Sequence, residues 1–354
     1  MADRQHQSDQ TTQQATLDTE KLVQDILKDI DRDREREIVS RRYGLFDRKE
    51  TLEQIGELLG ITRERVRQLE KSVVARLKTE AGAGKLPVAK TVEQALTQYL
   101  KEHGSAARIT DVSAAVTANN SRDDQSRVSF LANLCPGLVV LEEDDRHYHG
   151  VSIADARDTA ALKADIAKVV AIIKQSGAPM TATKIARETG LATPDEAAAL
   201  ASLSKNLATL NEQWGLVKWP MVNPKNIRDK IYVILKESGE HMHFNDIASA
   251  IKKSEFKRKD VTTQAIHNEL IKDKRFVLIG RGIYALKEWG YKKGTVADII
   301  SQVLREAGEP LHRDEIVKRV LESRFVKETT ILLNLQGKPQ FKRVAKATYA
   351  LADE

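Results

Sequence analysis

From Thr62 to Lys78 the chain reads TRERVRQLEKSVVARLK, and its polar residues have the types and spacing of a base-reading surface. Arg63 and Arg67 stand four apart, as do Glu64 and Gln68. On a helix that spacing brings all four to one outer face. Arg donates two hydrogen bonds to guanine, Gln pairs with adenine, and Glu accepts from cytosine; each good bidentate contact discriminates by about 1–3 kcal/mol. Arg65, Lys71, Arg76 and Lys78 suit phosphates, which position a helix without reading sequence. The plain alternative is an αα-hairpin with a charged, solvated outer face.

Such a face needs a helix pair to hold it. Thr51 N-caps a first helix, and Gln54 three residues later completes a capping box. Leu52, Ile55, Leu58 and Leu59 form its apolar stripe. Gly60 supplies the turn, and Ile61 plugs between the helices. Thr62 caps a second helix of about 16 residues, roughly 24 Å long. Val66, Leu69, Val73 and Leu77 face inward. Two helices joined by a Gly-containing turn, with Arg, Glu and Gln opening the second, form the pattern of a DNA-reading helix-turn-helix. The expected DNA contacts are Thr62, Arg63, Glu64, Arg65, Arg67, Gln68 and Lys71.

The charge distribution points to a second basic region. The 354 residues carry 57 Lys or Arg and 51 Asp or Glu, a net charge of +6. Residues 223–354 hold 26 of the cations and 18 of the anions, a net of +8, so the preceding residues are at −2. Clusters lie at Lys252, Lys253, Lys257, Arg258 and Lys259, and at Lys272, Lys274, Arg275 and Arg281. Such patches suit a polyanion, because each phosphate contact releases counterions. Lys257, Arg258 and Lys259 are therefore expected on DNA, with a solvated surface as the alternative.

A weak repeat runs through most of the chain: two apolar residues, a basic one, two more residues and Gly, then Ile or Val eight residues after the Gly. Its four copies place the Gly at 104, 177, 239 and 308, and the apolar residue at Val112, Ile185, Ile247 and Ile316. The pattern predicts a helix ending at a left-handed Gly, then a second helix, a third helix and a closing β-hairpin. Asn245 is the expected N-cap of the second helix in copy three. In that copy Gln264, His267 and Asn268 are expected to face outward from the third helix. Gly280–Gly282 reads as the hairpin turn. Three helices and a hairpin make a winged helix-turn-helix. Linkers are expected at 79–90, 220–226 and 290–294, which are rich in turn formers.

Other chemistry finds little support. A single cysteine, Cys135, excludes an intramolecular disulfide framework. Cys135, His147 and His149 lack the remaining ligands of a zinc set. Asp246 with Glu255 and Lys257 faintly resembles a nuclease triad, but the residues before Glu255 make a poor strand core. No Walker, GxGxxG, GxSxG or HExxH pattern occurs. No catalytic residue, cofactor or metal is expected. No apolar run is long enough to span a membrane, and the Gln- and Thr-rich residues 1–16 read as a disordered tail. A cytoplasmic, nucleoid-associated protein is expected.

The strings REREIVSRRYGLFD and TLEQIGELLGITRERVRQLEK closely resemble region four of the primary bacterial sigma factors. The resemblance implies a helix pair that contacts polymerase, then a helix that binds the promoter −35 element. Few residues precede this region, so a self-sufficient sigma factor is not expected. Copies three and four, through SGEHMHFNDIASAI, AGEPLHRDEIVKRV and their YALK and YALA endings, resemble the HARE-type helix-turn-helix domain. Proteins with that domain act in chromatin, restriction and the polymerase delta subunit.

The expected fold is mainly α: a sigma-type helix-turn-helix at 17–80, then winged helices at 91–152, 160–221, 226–290 and 294–352. The expected function is sequence-specific transcription regulation on promoter-like double-stranded DNA, together with RNA polymerase. The alternatives are a polymerase accessory protein that uses its winged modules on protein, and a DNA-targeting part of a restriction or defence system. The oligomeric state is not legible.

Overall fold

The computed structural model describes residues 16–154, 157–258 and 260–352. The chain is mainly helical, with small three-stranded antiparallel sheets, and divides into two compact units, 1–217 and 218–354. Residues 1–15 of the expected tail lie outside the described residues. No described helix is long and apolar enough to cross a membrane.

The first unit opens with helices α1 (Thr19–Lys28), α2 (Asp33–Tyr43), α3 (Leu52–Leu59) and α4 (Arg63–Gly82). At 20 residues, α4 is longer than expected, about 30 Å. Helix α5 (Pro87–Glu102) follows, with Pro87 in its first turn, where a missing N–H is tolerated. The expected linker 79–90 is therefore helical at both ends, and Leu86 and Ala89 within it are buried. Apolar anchoring overrides the turn-forming composition there.

Next come β1 (Ala106–Arg108), α6 (Ile109–Val116), α7 (Arg122–Leu134), β2 (Leu138–Leu141) and β3 (Gly150–Ile153). The unit closes with α8 (Thr159–Ser176), β4 (Met180–Thr181), α9 (Ala182–Thr189), α10 (Pro194–Ser202), β5 (Leu207–Leu210) and β6 (Gln213–Leu216). The second unit repeats the order twice. It runs through α11 (Ile227–Ser238), β7 (Met242–His243), α12 (Phe244–Lys253), α13 (Thr263–Lys272), β8 (Phe276–Gly280) and β9 (Ile283–Leu286). It then runs through α14 (Val296–Ala307), β10 (Leu311–His312), α15 (Arg313–Ser323), α16 (Glu328–Gly337), β11 (Phe341–Ala345) and β12 (Thr348–Leu351).

Each repeat thus has a strand that the sequence did not announce. The sheet orders are β1-β3-β2, β4-β6-β5, β7-β9-β8 and β10-β12-β11, so the closing hairpin gains a third strand just before the second helix. That strand is two or three residues long, too short to leave an alternating pattern. The repeat's apolar markers Val112, Ile185, Ile247 and Ile316 are all fully buried. Asn245 is not the N-cap of α12. His243 is, its Nδ1 accepting from the Asn245 N–H at 3.3 Å, because the short strand brings the helix start two residues earlier.

One core joins the helix-turn-helix segment to the first repeat. It packs Val23 and Ile26 of α1, Val73 and Leu77 of α4, and Val92 and Leu96 of α5 against Phe130 and Leu131 of α7. Polar links tighten the joint: Thr19 Oγ1 donates to Asp124 at 2.8 Å, and Arg127 Nε to the Leu45 carbonyl at 2.8 Å. Asn133 Nδ2 donates to the Tyr43 hydroxyl at 3.0 Å. Helix α10 packs against β1, with Arg108 Nε donating to the Ser202 carbonyl at 2.6 Å.

Candidate nucleic-acid interface

The helix-turn-helix is set by local chemistry. Thr51 and Gln54 form the reciprocal capping box on α3. Gly60 turns the chain in the left-handed region at φ +64°. Thr62 Oγ1 accepts from the Arg65 N–H at 3.2 Å and starts α4. Ile38, Ile55 and Val66 are fully buried between α2, α3 and α4, with Leu52, Leu59, Ile61 and Leu69 around them. Leu58, expected in that stripe, is instead 55% exposed, because Leu52, Ile55 and Leu59 already fill the inner side of this short helix.

A second glycine does what Gly60 cannot. Gly56 lies inside α3, and a Cβ there would stand 2.7 Å from the Ile61 carbonyl oxygen. The Ile61 N–H donates to the Gly56 carbonyl at 2.9 Å, so the chain leaving the turn lies directly on this backbone. The signal was present in the sequence as a glycine inside an apolar helical pattern.

The structure places Thr62, Arg63, Glu64, Arg65, Arg67, Gln68 and Lys71 on the exposed side of α4. Several hold one another there. Arg67 sets its guanidinium fork on Glu64, with Nε at 2.8 Å and Nη2 at 2.6 Å, and Gln68 Nε2 donates to the same carboxylate at 3.2 Å. The Arg67 hydrogen bonds, with a smaller contribution from Gln68, pull the Glu64 carboxyl down to about 2. Arg63 Nη1 pairs with Glu53 Oε1 of α3 at 2.9 Å, a partner the sequence reading missed. Such exposed pairs break at little cost, so the arginines remain available to another anion.

Arg76, expected on phosphate, is exposed and reaches toward α2. Its Nη2 lies 3.5 Å from Glu35 Oε2 on α2, and Glu35 is buried. Glu35 also pairs with Arg32 Nη1 at 3.2 Å, and Arg76, itself still exposed, adds a second cation beside this buried carboxylate.

In the second unit, Lys257 and Arg258 are exposed on the loop between α12 and α13, while Lys259 lies outside the described residues. The loop is pinned from below by Lys230 of α11, which is only 4% exposed. Its ammonium donates to the carbonyls of Lys257 at 2.9 Å and Arg258 at 2.6 Å, and burial lowers its pKa. Gln264 and Asn268 of α13 are exposed. His267 is not fully outward, since its ring packs edge-on to Phe244 and Tyr284.

The residues weighed as metal ligands are engaged elsewhere. Cys135 is buried, its thiol donating to the Leu131 carbonyl and pushed up to about 12 by burial. His147 Nδ1 lies 2.8 Å from Asp144 Oδ1, and His149 Nε2 shares a 2.8 Å hydrogen bond with Ser129 Oγ. Among the described residues no group of three or more His, Cys, Asp or Glu could hold a metal.

Against known families, the profile of "Sigma-70, region 4" matches residues 32–79, the stretch that holds α2, α3 and most of α4. Among curated relatives, the RNA polymerase principal sigma factor HrdC of Streptomyces coelicolor is 56% identical over 46 residues, 13% of this chain and 14% of that protein. RNA polymerase sigma factor SigA1 of Synechococcus elongatus is 50% identical over 46 residues, 13% of this chain and 12% of that one. RNA polymerase sigma factor sigB of Arabidopsis thaliana is 40% identical over 72 residues, 20% of this chain and 13% of its own length. The chain spans less than a fifth of the length of these relatives. What the matches show is a sigma-70 region 4 segment at residues 32–79.

Proposed function

We propose that the chain is a non-enzymatic, sequence-specific DNA-binding regulator that acts with RNA polymerase at promoter-like elements. The observation that carries this reading is the exposed face of α4, where Arg63, Glu64, Arg67 and Gln68 stand together within a segment matched by sigma-70 region 4. On that reading Arg63, Glu64 and Gln68 read base edges, and Arg65 and Lys71 sit on phosphates. Each repeat is a winged helix-turn-helix, at 91–152, 160–221, 226–290 and 294–352. The last two are of HARE type, and Lys257 and Arg258 extend the phosphate footprint. The protein works in the bacterial cytoplasm, on the nucleoid.

The test is the affinity of the intact chain for duplex DNA as a function of salt. A log–log slope of several units is expected, since each phosphate contact contributes about 0.9. A slope near zero removes the reading. Replacing Arg63 and Gln68 with Ala is expected to flatten sequence preference; an unchanged preference discredits α4 as the reader.

A second reading has its own support. Of the third helices of copies one and two, α7 buries seven of its 13 residues and α10 four of its 9. They have little surface to offer a groove, which favours a polymerase accessory role for those copies. Co-purification with polymerase from nuclease-treated lysate supports that role, and loss of the association after nuclease counts against it.

A further inference from the structure

We infer that copy three carries a second sequence-reading surface for double-stranded DNA, on α13, with a preference for A·T pairs. This goes beyond the role of α4, although it shares the premise that the chain binds DNA.

The inward side of α13 is defined by Ile266 and Leu270, both buried. Gln264, Asn268 and Ile271 follow one another at intervals of four and three, so they form a stripe on the opposite side. All three are exposed, Ile271 at 62%, large for an aliphatic side chain. Gln264 Nε2 donates to Asn268 Oδ1 at 3.1 Å. That bond fixes the two amides relative to each other and leaves the Gln264 oxygen and the Asn268 nitrogen for another partner. One acceptor beside one donor is the complement of adenine in the major groove, which offers its N6 amino hydrogens and its N7 lone pair. The neighbouring Ile271 supplies the apolar contact that a thymine methyl group takes.

The flanks of the helix carry the charge that such docking needs. Lys230 fixes the loop before α13 with Lys257 and Arg258 exposed on it. After α13, the β8–β9 turn exposes Arg281, held by the Gly280–Ile283 pairing and by Gly282 at φ +72°. A reading stripe with cations before and after it matches a helix in the major groove gripped by phosphates on either side. Helix α16 of copy four, aligned on its buried Ile331 and Leu335, exposes Thr329, Leu333 and Gln336 at the corresponding places, with no amide pair.

The test selects duplexes from a random-sequence pool with the full chain and sequences the bound fraction. Wild type is expected to enrich two elements. The Gln264→Ala/Asn268→Ala chain should lose the A·T-containing one and bind a duplex carrying it about tenfold or more weakly, as loss of a bidentate contact requires. The Arg63→Ala/Gln68→Ala chain should lose only the other element, so failure of α4 as a reader and failure of α13 give different patterns. In a third variant, Lys257→Gln/Arg258→Gln, affinity should fall alike for all duplexes, with a shallower salt slope. The proposal is overturned if wild type enriches no A·T element, or if the amide-pair variant enriches it unchanged.

Discussion

Helices α4 and α7 both close a three-helix arrangement in the first unit, yet they are used in opposite ways. The first half of α4 buries Val66 and leaves six of its first seven residues, Arg63 to Leu69, at least partly in solvent. Helix α7 buries Arg127, Val128, Ser129, Phe130, Leu131, Ala132 and Leu134, because α1, α2, α4 and α5 all pack on it. An isolated three-helix unit would leave an outer face on its third helix. Here the segment before the repeat has taken that face, and α7 has become the centre of a joint core. The position of a helix in a motif therefore does not decide whether it presents an open face; what packs on its outer side does.

The largest way to break this contrast is through the core. Phe130 is fully buried and edge-on to Tyr43, with ring centroids 4.9 Å apart. Phe130→Ala is expected to cost about 3–5 kcal/mol in denaturant unfolding. The loss should appear in the helix-turn-helix and the first repeat together, since they share the core. Separate transitions for the two would contradict the joint core. Substitution of Arg63 by Ala on the exposed side should change stability by only about 0.5 kcal/mol. An intermediate cost, about 1–3 kcal/mol, is expected for Gly56→Ala, whose methyl group would press on the Ile61 carbonyl. Thermal melts that show no loss would mean that the turn relaxes freely.

The sequence made the exposed face of α4 easier to see than the buried scaffold, for a physical reason. Caps and turns act over three or four residues, so Thr51, Gln54, Gly60 and Thr62 were readable from spacing alone. The repeat markers Val112, Ile185, Ile247 and Ile316 were readable because helix periodicity and burial coincide at them. What packs on α7 depends on partners such as Thr19 and Asp124, 105 residues apart, and no local pattern encodes that pairing. The same holds for Lys230, whose burial comes from a loop 27 and 28 residues away. Glu53 is a first-turn acid on α3, and only the folded turn sets it against Arg63.

The exposed side can be sharpened by pH. The Glu64 carboxyl lies near 2 in the folded chain against an ordinary 4.5, because Arg67 holds the ionised form. A lowered folded-state pKa means that the stabilisation is present above 4.5 and fades as pH falls toward 2. Carboxyl carbon titration by NMR should therefore place the Glu64 midpoint at about 2. In an Arg67→Ala chain the value should return most of the way. A midpoint near 4.5 in wild type would mean that the fork on Glu64 is not maintained in solution.

The smallest expected effect separates a reading surface from a merely charged one. Glu53 occupies Arg63 in the DNA-free chain, so it competes with any phosphate or base that Arg63 would meet. Glu53→Gln keeps the side-chain shape and removes the competing charge. An exposed ion pair is worth at most about 1 kcal/mol, which bounds the gain in DNA affinity at about fivefold. The gain should vanish when Arg63 is already Ala, because the charge then has nothing to release. If Glu53→Gln tightens binding equally in both backgrounds, the carboxylate acts only by general repulsion from DNA. Arg63 would then be one cation among several on α4, and the contrast with α7 would reduce to charge and exposure alone.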